Sequence, residues 1–296
     1  MSPRVLPLLL PVIALLVLPS CRHKASAGSS YNNGQPLAPY HPQASSNYGA
    51  MPRPGNQKPL VTRTTIANSP AAAPKAPKGW NGSVPALTAP AGGYPNVSYS
   101  HGSRGGKYLA LTFDDGPHGS LTPQLLDILA SRNVKATFFV LGPRVKARPD
   151  LVQRMVTEGH EVGNHSSTHK LMTKMSDEAV LADFRATHDA VVGACGVAPK
   201  LQRPPYGSMN ARQRAMLKDQ FGYSCILWEV DPLDWKRPGS GVVASRIISG
   251  AKNGSILLMH DIHAGSVEAV PQILDTLIAQ GYTFVTVSQL LSLSGQ

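Results

Sequence analysis

Short β-rich runs alternate with longer amphipathic segments throughout the chain after residue 106. The short runs are apolar and rich in β-branched and aromatic residues, and the longer segments repeat apolar residues at helical spacing. Roughly seven such alternations fit into this part of the chain. A regular β/α alternation supplies the right-handed crossovers that parallel strands require. The sequence therefore predicts an α/β fold with a parallel sheet, either an open doubly wound sheet or a barrel.

Strands are predicted at residues 108–113, 136–141, 160–164, 200–203, 223–230, 255–260 and 282–287. Helices are predicted at residues 122–132, 150–158, 176–193, 211–220, 242–252 and 267–280. The conspicuous polar motifs all end or follow one of these strands. Active sites lie at the C-terminal ends of the strands both in open parallel sheets and in barrels. One functional site is therefore expected there.

Two of these motifs together indicate a metal-assisted hydrolase. Asp114 and Asp115 end the first predicted strand, and His165 and His169 follow the third. One carboxylate and two imidazoles can hold a borderline metal such as zinc and leave positions for water and substrate. The second carboxylate is then a candidate general base. A helical turn would place two histidines four residues apart on one face.

Three other motifs carry candidate site residues, each with a plainer alternative. Arg203, in a proline-stiffened loop, can pair with an active-site carboxylate and keep it ionised, or it can belong to a surface loop. Trp235 offers an apolar face for a sugar ring, or it can be a core residue. His260 ends a strand and suits general acid catalysis, or it can be structural.

The five motifs, in this order, closely resemble the polysaccharide deacetylases of carbohydrate esterase family four, the NodB-homology domain. The resemblance covers roughly residues 106–291, and the segment 260–271 also resembles the peptidoglycan deacetylase branch. The matching segments are Thr112–Asp115, His165–His169, Arg203–Tyr206, Asp231–Trp235 and Leu258–His260.

The resemblance implies a distorted (β/α)7 barrel. It also implies one bound divalent metal ion, with Zn2+ as the first choice and Co2+ or another transition metal as alternatives. It implies that Asp115, His165 and His169 are the metal ligands. Asp114 would be the general base, oriented by Arg203, and His260 the general acid, tuned by Asp231. The backbone N–H of Tyr206 would donate to the oxyanion, and Trp235 and Leu258 would form walls of the substrate groove.

The function implied is metal-dependent hydrolysis of N-acetyl groups from N-acetylglucosamine residues of a cell-wall polysaccharide, most of all peptidoglycan. Deacetylation of chitin oligosaccharides and of acetyl-xylan remain alternatives on the same fold. A non-catalytic, metal-containing glycan-binding protein is the alternative of a different class. Loss of Asp114 or His260 would have favoured it, and both residues are present.

The first hundred residues have a different character. Residues 1–21 resemble an export signal that ends in a lipobox-like Cys21, so a membrane-anchored lipoprotein of the cell envelope is expected, facing the periplasm or the cell wall. Residues 22–100 carry seven basic side chains, no acidic ones and no hydrophobic period, which predicts a disordered linker. The catalytic domain is predicted at residues 101–296. No nucleic-acid partner is expected, because no helix or loop interleaves aromatic and basic residues as a nucleic-acid-binding segment would.

Two cysteines lie in the predicted catalytic domain, Cys195 and Cys225. In an oxidising compartment they could form a disulfide. The sequence leaves this alternative and a pair of buried thiols equally open.

Overall fold

The computed structural model of the protein describes residues 98–293, which form an α/β fold. The strands are β1 (Ser98–Tyr99), β2 (Tyr108–Asp114), β3 (Thr137–Val140), β4 (Glu161–Asn164), β5 (Leu201–Gln202), β6 (Ser224–Ile226), β7 (Ile256–His260) and β8 (Thr283–Phe284). The α-helices are α1 (Leu121–Ser131), α2 (Gly142–Ala147), α3 (Pro149–Thr157), α4 (Asp177–Cys195), α5 (Ala211–Phe221), α6 (Ser240–Gly250), α7 (Ala264–Ala279) and α8 (Val287–Ser292).

The parallel sheet closes on itself. Pairing joins the strands in the order β1-β6-β5-β4-β3-β2-β7. Val230, which lies beyond the end of β6, forms a parallel bridge with Leu257 of β7, and the Leu258 amide donates to the Val230 carbonyl at 2.9 Å. β8 pairs with the first residues of β2. Strands β2 to β8 therefore form a barrel-like sheet with an irregular seam, which confirms the predicted α/β fold.

The alternation of side chains along β2 decides which residues face the inside of this sheet. Its outward side chains are apolar and pack in the core beneath the helices: Leu109, Leu111 and Phe113. Ala110 belongs to a separate apolar cluster inside the sheet. Thr112 and Asp114 share its face, because side chains two residues apart on a strand point the same way. Asp114 is paired in register with His260 of β7, so both polar side chains reach the same end of the barrel.

The opposite end of the barrel is closed by apolar side chains. Leu290 and Leu291 of α8 pack into the inner cluster with Phe139 of β3 and Ile226 of β6. Helix α8 is capped by the preceding residue, Thr286, whose side chain forms a reciprocal capping box with Gln289. This end of the barrel is therefore filled by apolar side chains, and the polar side chains lie at the other end, where the strands have their C-terminal ends.

All seven predicted strands are present, but three short elements were missed. They are β1, α2 and α8. β1 pairs with β6, so Ser98 and Tyr99, at the end of the segment predicted as a linker, belong to the sheet. Helix α2 opens with Gly142-Pro143, residues that usually indicate a turn rather than a helix. The capping box of α8 was a readable signal for that helix.

The remaining predictions concern the N-terminal segment, the two cysteines and the membrane. The signal peptide, Cys21 and the linker up to residue 97 lie outside the described residues. Within residues 98–293, Cys195 and Cys225 are both free thiols, and burial raises the pKa of Cys225 to about 11. In that same region no helix combines the length and the apolarity that crossing a bilayer requires.

Candidate active site

Three candidate metal-ligating atoms converge at the C-terminal end of the sheet. Nε2 of His165 lies 3.4 Å from Oδ1 of Asp115, and Nε2 of His169 lies 3.3 Å from the same oxygen. One ligand atom from each of the three residues can be chosen so that all lie within 4.8 Å of one another. Asp115 follows β2 and His165 follows β4, so the sheet brings together residues that are distant in sequence.

Left-handed backbone conformations aim these side chains at one point. The φ angles of Asp115, Ser166 and His169 are 73°, 72° and 50°. At Asp115 the reversal turns the carboxylate toward the site, although Asp114 already occupies the inner face of the strand. The helical turn expected for His165 and His169 is wrong, because residues 165–171 form an irregular loop. Within this loop, Ser166 Oγ accepts a hydrogen bond from the His169 amide at 3.1 Å.

Hydrogen bonding leaves Nε2 of His165 available to a metal. Its Nδ1 lies 2.7 Å from the carbonyl oxygen of Arg203. A carbonyl only accepts, so Nδ1 carries a proton, and in the neutral imidazole, the form that binds a metal, Nε2 therefore keeps its lone pair. This is the arrangement in which metal-ligating histidines are usually held by a neighbouring acceptor.

The charge on Asp115 also fits a cation. Its Oδ1 is buried and makes no hydrogen bond. Burial opposes ionisation, but His165, His169 and His260 outweigh it and hold the pKa of Asp115 well below its usual range. An ionised, unpartnered oxygen beside two imidazole nitrogens is a suitable donor set for a zinc-like divalent ion, with coordination positions left over.

The second carboxylate, Asp114, is held by a buried arginine. Nη1 of Arg203 donates to Asp114 Oδ1 at 2.7 Å and to Thr112 Oγ1 at 2.7 Å. The guanidinium also donates to the backbone carbonyls of Ile226 and Leu227 at the end of β6, and it lies 4.2 Å above the ring of Phe139. Arg203 is fully buried. The structure thus places Arg203 against the candidate base, as the sequence predicted, and every contact fixes its orientation.

The candidate general acid, His260, pairs with Asp234. Its Nδ1 lies 2.8 Å from Asp234 Oδ1, and its backbone amide donates to Asp234 Oδ2 at 2.8 Å. Ser266 Oγ donates to the same carboxylate at 2.6 Å. Burial disfavours the imidazolium, but the hydrogen bond and charge of Asp234, with the charges of Asp114 and Asp115, raise the pKa of His260 to about 9.

The prediction that Asp231 tunes His260 is therefore corrected. Asp231 Oδ1 instead accepts a hydrogen bond from the Leu233 amide at 2.7 Å, and burial raises its pKa. Leu233 has a left-handed backbone, with φ of 55°, and this turn brings the next residue, Asp234, under the imidazole. The two aspartates lie in one short motif, Asp-Pro-Leu-Asp-Trp, and sequence spacing alone did not distinguish them.

The three predicted substrate-binding residues differ in exposure. Tyr206 is 51% exposed, and its ring packs edge-on against His169 with centroids 4.8 Å apart. Trp235 is 42% exposed and has the Lys236 ammonium 4.9 Å from its ring centroid. Leu258 is only 3% exposed, so it lies at the base of the site and does not form an open groove wall.

A buried carboxylate that sequence reasoning missed supports the turn after Asp115. Asp261 is fully buried, and one of its oxygens accepts a hydrogen bond from Thr122 Oγ1. A Cβ on Gly116 would overlap this carboxylate, so only glycine fits at that position. Burial raises the pKa of Asp261 to about 7. The glycine after the paired aspartates was the available signal for such close packing.

Comparisons with known proteins agree with the fold and the motifs. The polysaccharide deacetylase family model matches residues 101–226. The peptidoglycan-N-acetylglucosamine deacetylase PgdA of Listeria monocytogenes is 45% identical over 184 residues, which cover 62% of this chain and 39% of that relative. The chain thus spans about two fifths of that relative's length.

Two further relatives are matched over most of their length. A peptidoglycan-N-acetylglucosamine deacetylase of Bacillus cereus is 40% identical over 193 residues, which cover 62% of this chain and 88% of the relative. A solved structure described as a T48 deacetylase with substrate has a TM-score of 0.60 and 46% identity, and the match covers 64% of this chain and 92% of that one. Such similarity, over nearly the whole of both relatives, means that the chain belongs to the polysaccharide deacetylase family, carbohydrate esterase family four.

Proposed function

We propose that this protein hydrolyses the N-acetyl groups of N-acetylglucosamine residues in a cell-wall polysaccharide, with peptidoglycan as the preferred substrate. The observation that carries the proposal is the pairing of Asp114 and His260, a carboxylate and an imidazole in register on adjacent strands, beside the ligand cluster. Amide hydrolysis needs both groups, because water must lose a proton and the departing amine must gain one.

The metal is proposed to be zinc. One carboxylate and two imidazoles suit zinc among the common divalent ions, and Co2+ accepts the same donors. When held by Asp115, His165 and His169, such an ion supplies Lewis acidity toward the acetyl carbonyl and lowers the pKa of water at the site. The side chains around the ion carry out the proton transfers.

Asp114 is the proposed base. Arg203 occupies its Oδ1, which leaves Oδ2 at 3.8 Å from Nε2 of His165, on the side of the ligand cluster. From this position Oδ2 can take the proton of the attacking water. The charge-assisted bond to Arg203 keeps the carboxylate turned toward the site. The Tyr206 amide, on a left-handed residue next to His169, is the proposed donor to the tetrahedral oxyanion.

His260 is the proposed acid. A pKa near 9 keeps its imidazole protonated at neutral pH. Because Asp234 holds Nδ1, the proton available to the leaving amine is on Nε2. An amine leaves poorly unless it is protonated, so this proton is needed to complete amide cleavage.

The exposed aromatic side chains support a sugar substrate. Tyr206 and Trp235 are each about half exposed, and flat apolar faces of this kind stack on sugar rings. The relatives named above as peptidoglycan deacetylases favour peptidoglycan. Chitin oligosaccharides and acetyl-xylan are the alternatives. The test is acetate release from peptidoglycan, chitin oligosaccharides and acetyl-xylan, with and without a chelator. Chelator-resistant release, or none from any substrate, would contradict the proposal.

The protein is further proposed to act outside the cytoplasm, anchored to a membrane through lipidated Cys21. The support is the lipobox-like sequence at residues 18–21 and the basic residues that follow it. An acyl anchor together with adjacent positive charge binds membranes more firmly than either alone.

The ligand assignment predicts about one equivalent of zinc in the purified full chain. Replacing Asp115, His165 and His169 together by alanine should abolish this binding, because no strong donor remains at the site. Metal analysis after dialysis measures it. Undiminished metal content in the triple variant would show that the ion binds elsewhere.

The base assignment predicts a separation of binding from turnover. Asp114→Asn should keep its metal but lose about 100-fold or more in kcat, because the amide cannot accept the proton of water. Both quantities are measured on one preparation. If the variant loses the metal as well, Asp114 is a ligand and its proposed role is incorrect.

The acid assignment predicts a change in the alkaline limb of the rate profile. Activity should fall as pH rises through the pKa of His260, since the deprotonated ring has no proton to donate. Asp234→Asn removes the main interaction that raises this pKa, so the limb should move about one to three pH units lower. Asp231→Asn is the matched control and should leave the limb nearly in place. The opposite ranking of the two variants would restore Asp231 as the partner.

The anchor predicts that Cys21→Ser will leave the membrane fraction when the gene is expressed with its natural start. Membrane and soluble fractions are compared by immunoblot, and the mass of the mature N-terminus reports the lipid. The variant should keep its kcat on a soluble oligosaccharide. Equal membrane association of wild type and variant would remove Cys21 as the anchor.

A further inference from the structure

The side chain of Asn164, the last residue of β4, is fully buried and makes three hydrogen bonds. Nδ2 donates to the Phe184 carbonyl at 2.8 Å and to the Tyr223 hydroxyl at 3.0 Å. Oδ1 accepts from the Ser166 amide at 2.8 Å. Because the Phe184 carbonyl only accepts, the NH2 group must face it, and Oδ1 must therefore face the turn that carries His165 and His169.

The turn that Asn164 contacts is conformationally unfavourable by itself. Ser166 and His169 both have left-handed backbones, which residues with a Cβ rarely adopt. The Ser166 amide is fixed by Asn164, and the Ser167 amide donates to Asp183 Oδ2 on α4 at 3.2 Å. Such conformations persist only where their surroundings hold them, and here the holding groups come from outside the ligand set.

A second buried group fixes the amide of Asn164 in turn. The Tyr223 ring is buried, and its hydroxyl lies 2.7 Å from Nδ1 of His188 on α4. With the hydroxyl oxygen accepting from Asn164, its proton is free to be donated to that ring nitrogen. Phe221 stacks on the Tyr223 ring with centroids 5.1 Å apart. Asn164 is therefore connected through Tyr223 to His188, a chain that contains no proposed ligand or catalytic group.

We propose that Asn164 is a positioning residue for the metal site, and that Tyr223 and His188 hold its amide in the orientation that fixes the Ser166 turn. The inference rests on the proposed metal site. It assigns a role to three polar side chains, Asn164, Tyr223 and His188, that the proposed hydrolysis does not use. Outer partners of this kind set the placement of a ligand without touching the metal, and their loss weakens metal binding.

The experiment measures the zinc dissociation constant of the full chain by competition with a chelating indicator, and the Co2+ absorption spectrum as a report on ligand geometry. Asn164→Ala should raise the dissociation constant about 10- to 100-fold and alter the spectrum. Tyr223→Phe keeps the packed ring and removes only the hydroxyl, and it should cause a smaller rise in the same direction.

Gln202→Met is the matched control. Gln202 pairs in register with Asn164 on the next strand and is equally buried, but its side chain contacts the Met209 sulfur, at 3.7 Å, and the Cys225 thiol, and neither belongs to the turn that carries His165 and His169. Its dissociation constant should stay within about twofold of wild type, since no turn depends on it. The unfolding midpoint of each metal-free variant is measured alongside, so that binding is compared where every protein is folded.

The outcomes separate the two proposals. Wild-type protein that binds no metal would overturn the metal site and this inference together. Wild-type binding with an unchanged dissociation constant in Asn164→Ala and Tyr223→Phe would overturn the positioning role alone, even if both variants unfold earlier. If Asn164→Ala does not fold, Tyr223→Phe decides: an unchanged constant rejects the inference, and a raised one with an unchanged Gln202→Met supports it.

Discussion

A single buried arginine connects the two halves of the site. The guanidinium of Arg203 binds the candidate base Asp114, and the backbone carbonyl of the same residue binds Nδ1 of the candidate ligand His165. A charge buried this deeply is costly unless it is paired and fully hydrogen-bonded. Asp114, Thr112 and two carbonyls at the end of β6 meet that requirement. Because those partners come from different strands, the arginine can be accommodated only when the barrel is assembled.

Backbone strain in the described structure is concentrated around this arginine and the ligands. Seven non-glycine residues between 98 and 293 have positive φ, and only Asn133 lies outside the site loops. The other six are Asp115, Ser166, His169, Tyr206, Leu233 and Arg237. Such conformations cluster where side chains must be aimed against local preference. The stability of the barrel offsets the strain. The strained residues hold the candidate metal ligands and the pair of Asp114 and His260 in fixed positions.

The sequence was sufficient to predict the features that depend on hydrophobic periodicity and on the order of the motifs along the chain. The alternation of strands and helices and the position of the polar motifs after strands predicted that Asp114, Asp115, His165, Arg203 and His260 would meet at one end of a parallel sheet. Prediction from the sequence failed where the position of a side chain depends on a single backbone dihedral angle. The left-handed Leu233 selects Asp234 over Asp231, and left-handed Ser166 and His169 replace the expected helical turn. β1 and the role of Asn164 depend on contacts between distant segments, which a local pattern does not contain.

The proposed mechanism requires that Asp115, His165 and His169 bind the metal while Arg203 keeps Asp114 away from it. A crystal structure of the zinc-loaded protein tests this most directly. The expected result is one ion bound to those three side chains, with Asp114 Oδ1 still hydrogen-bonded to Arg203 and Oδ2 facing the bound solvent. An ion coordinated by Asp114, or one placed away from the two histidines, would contradict it.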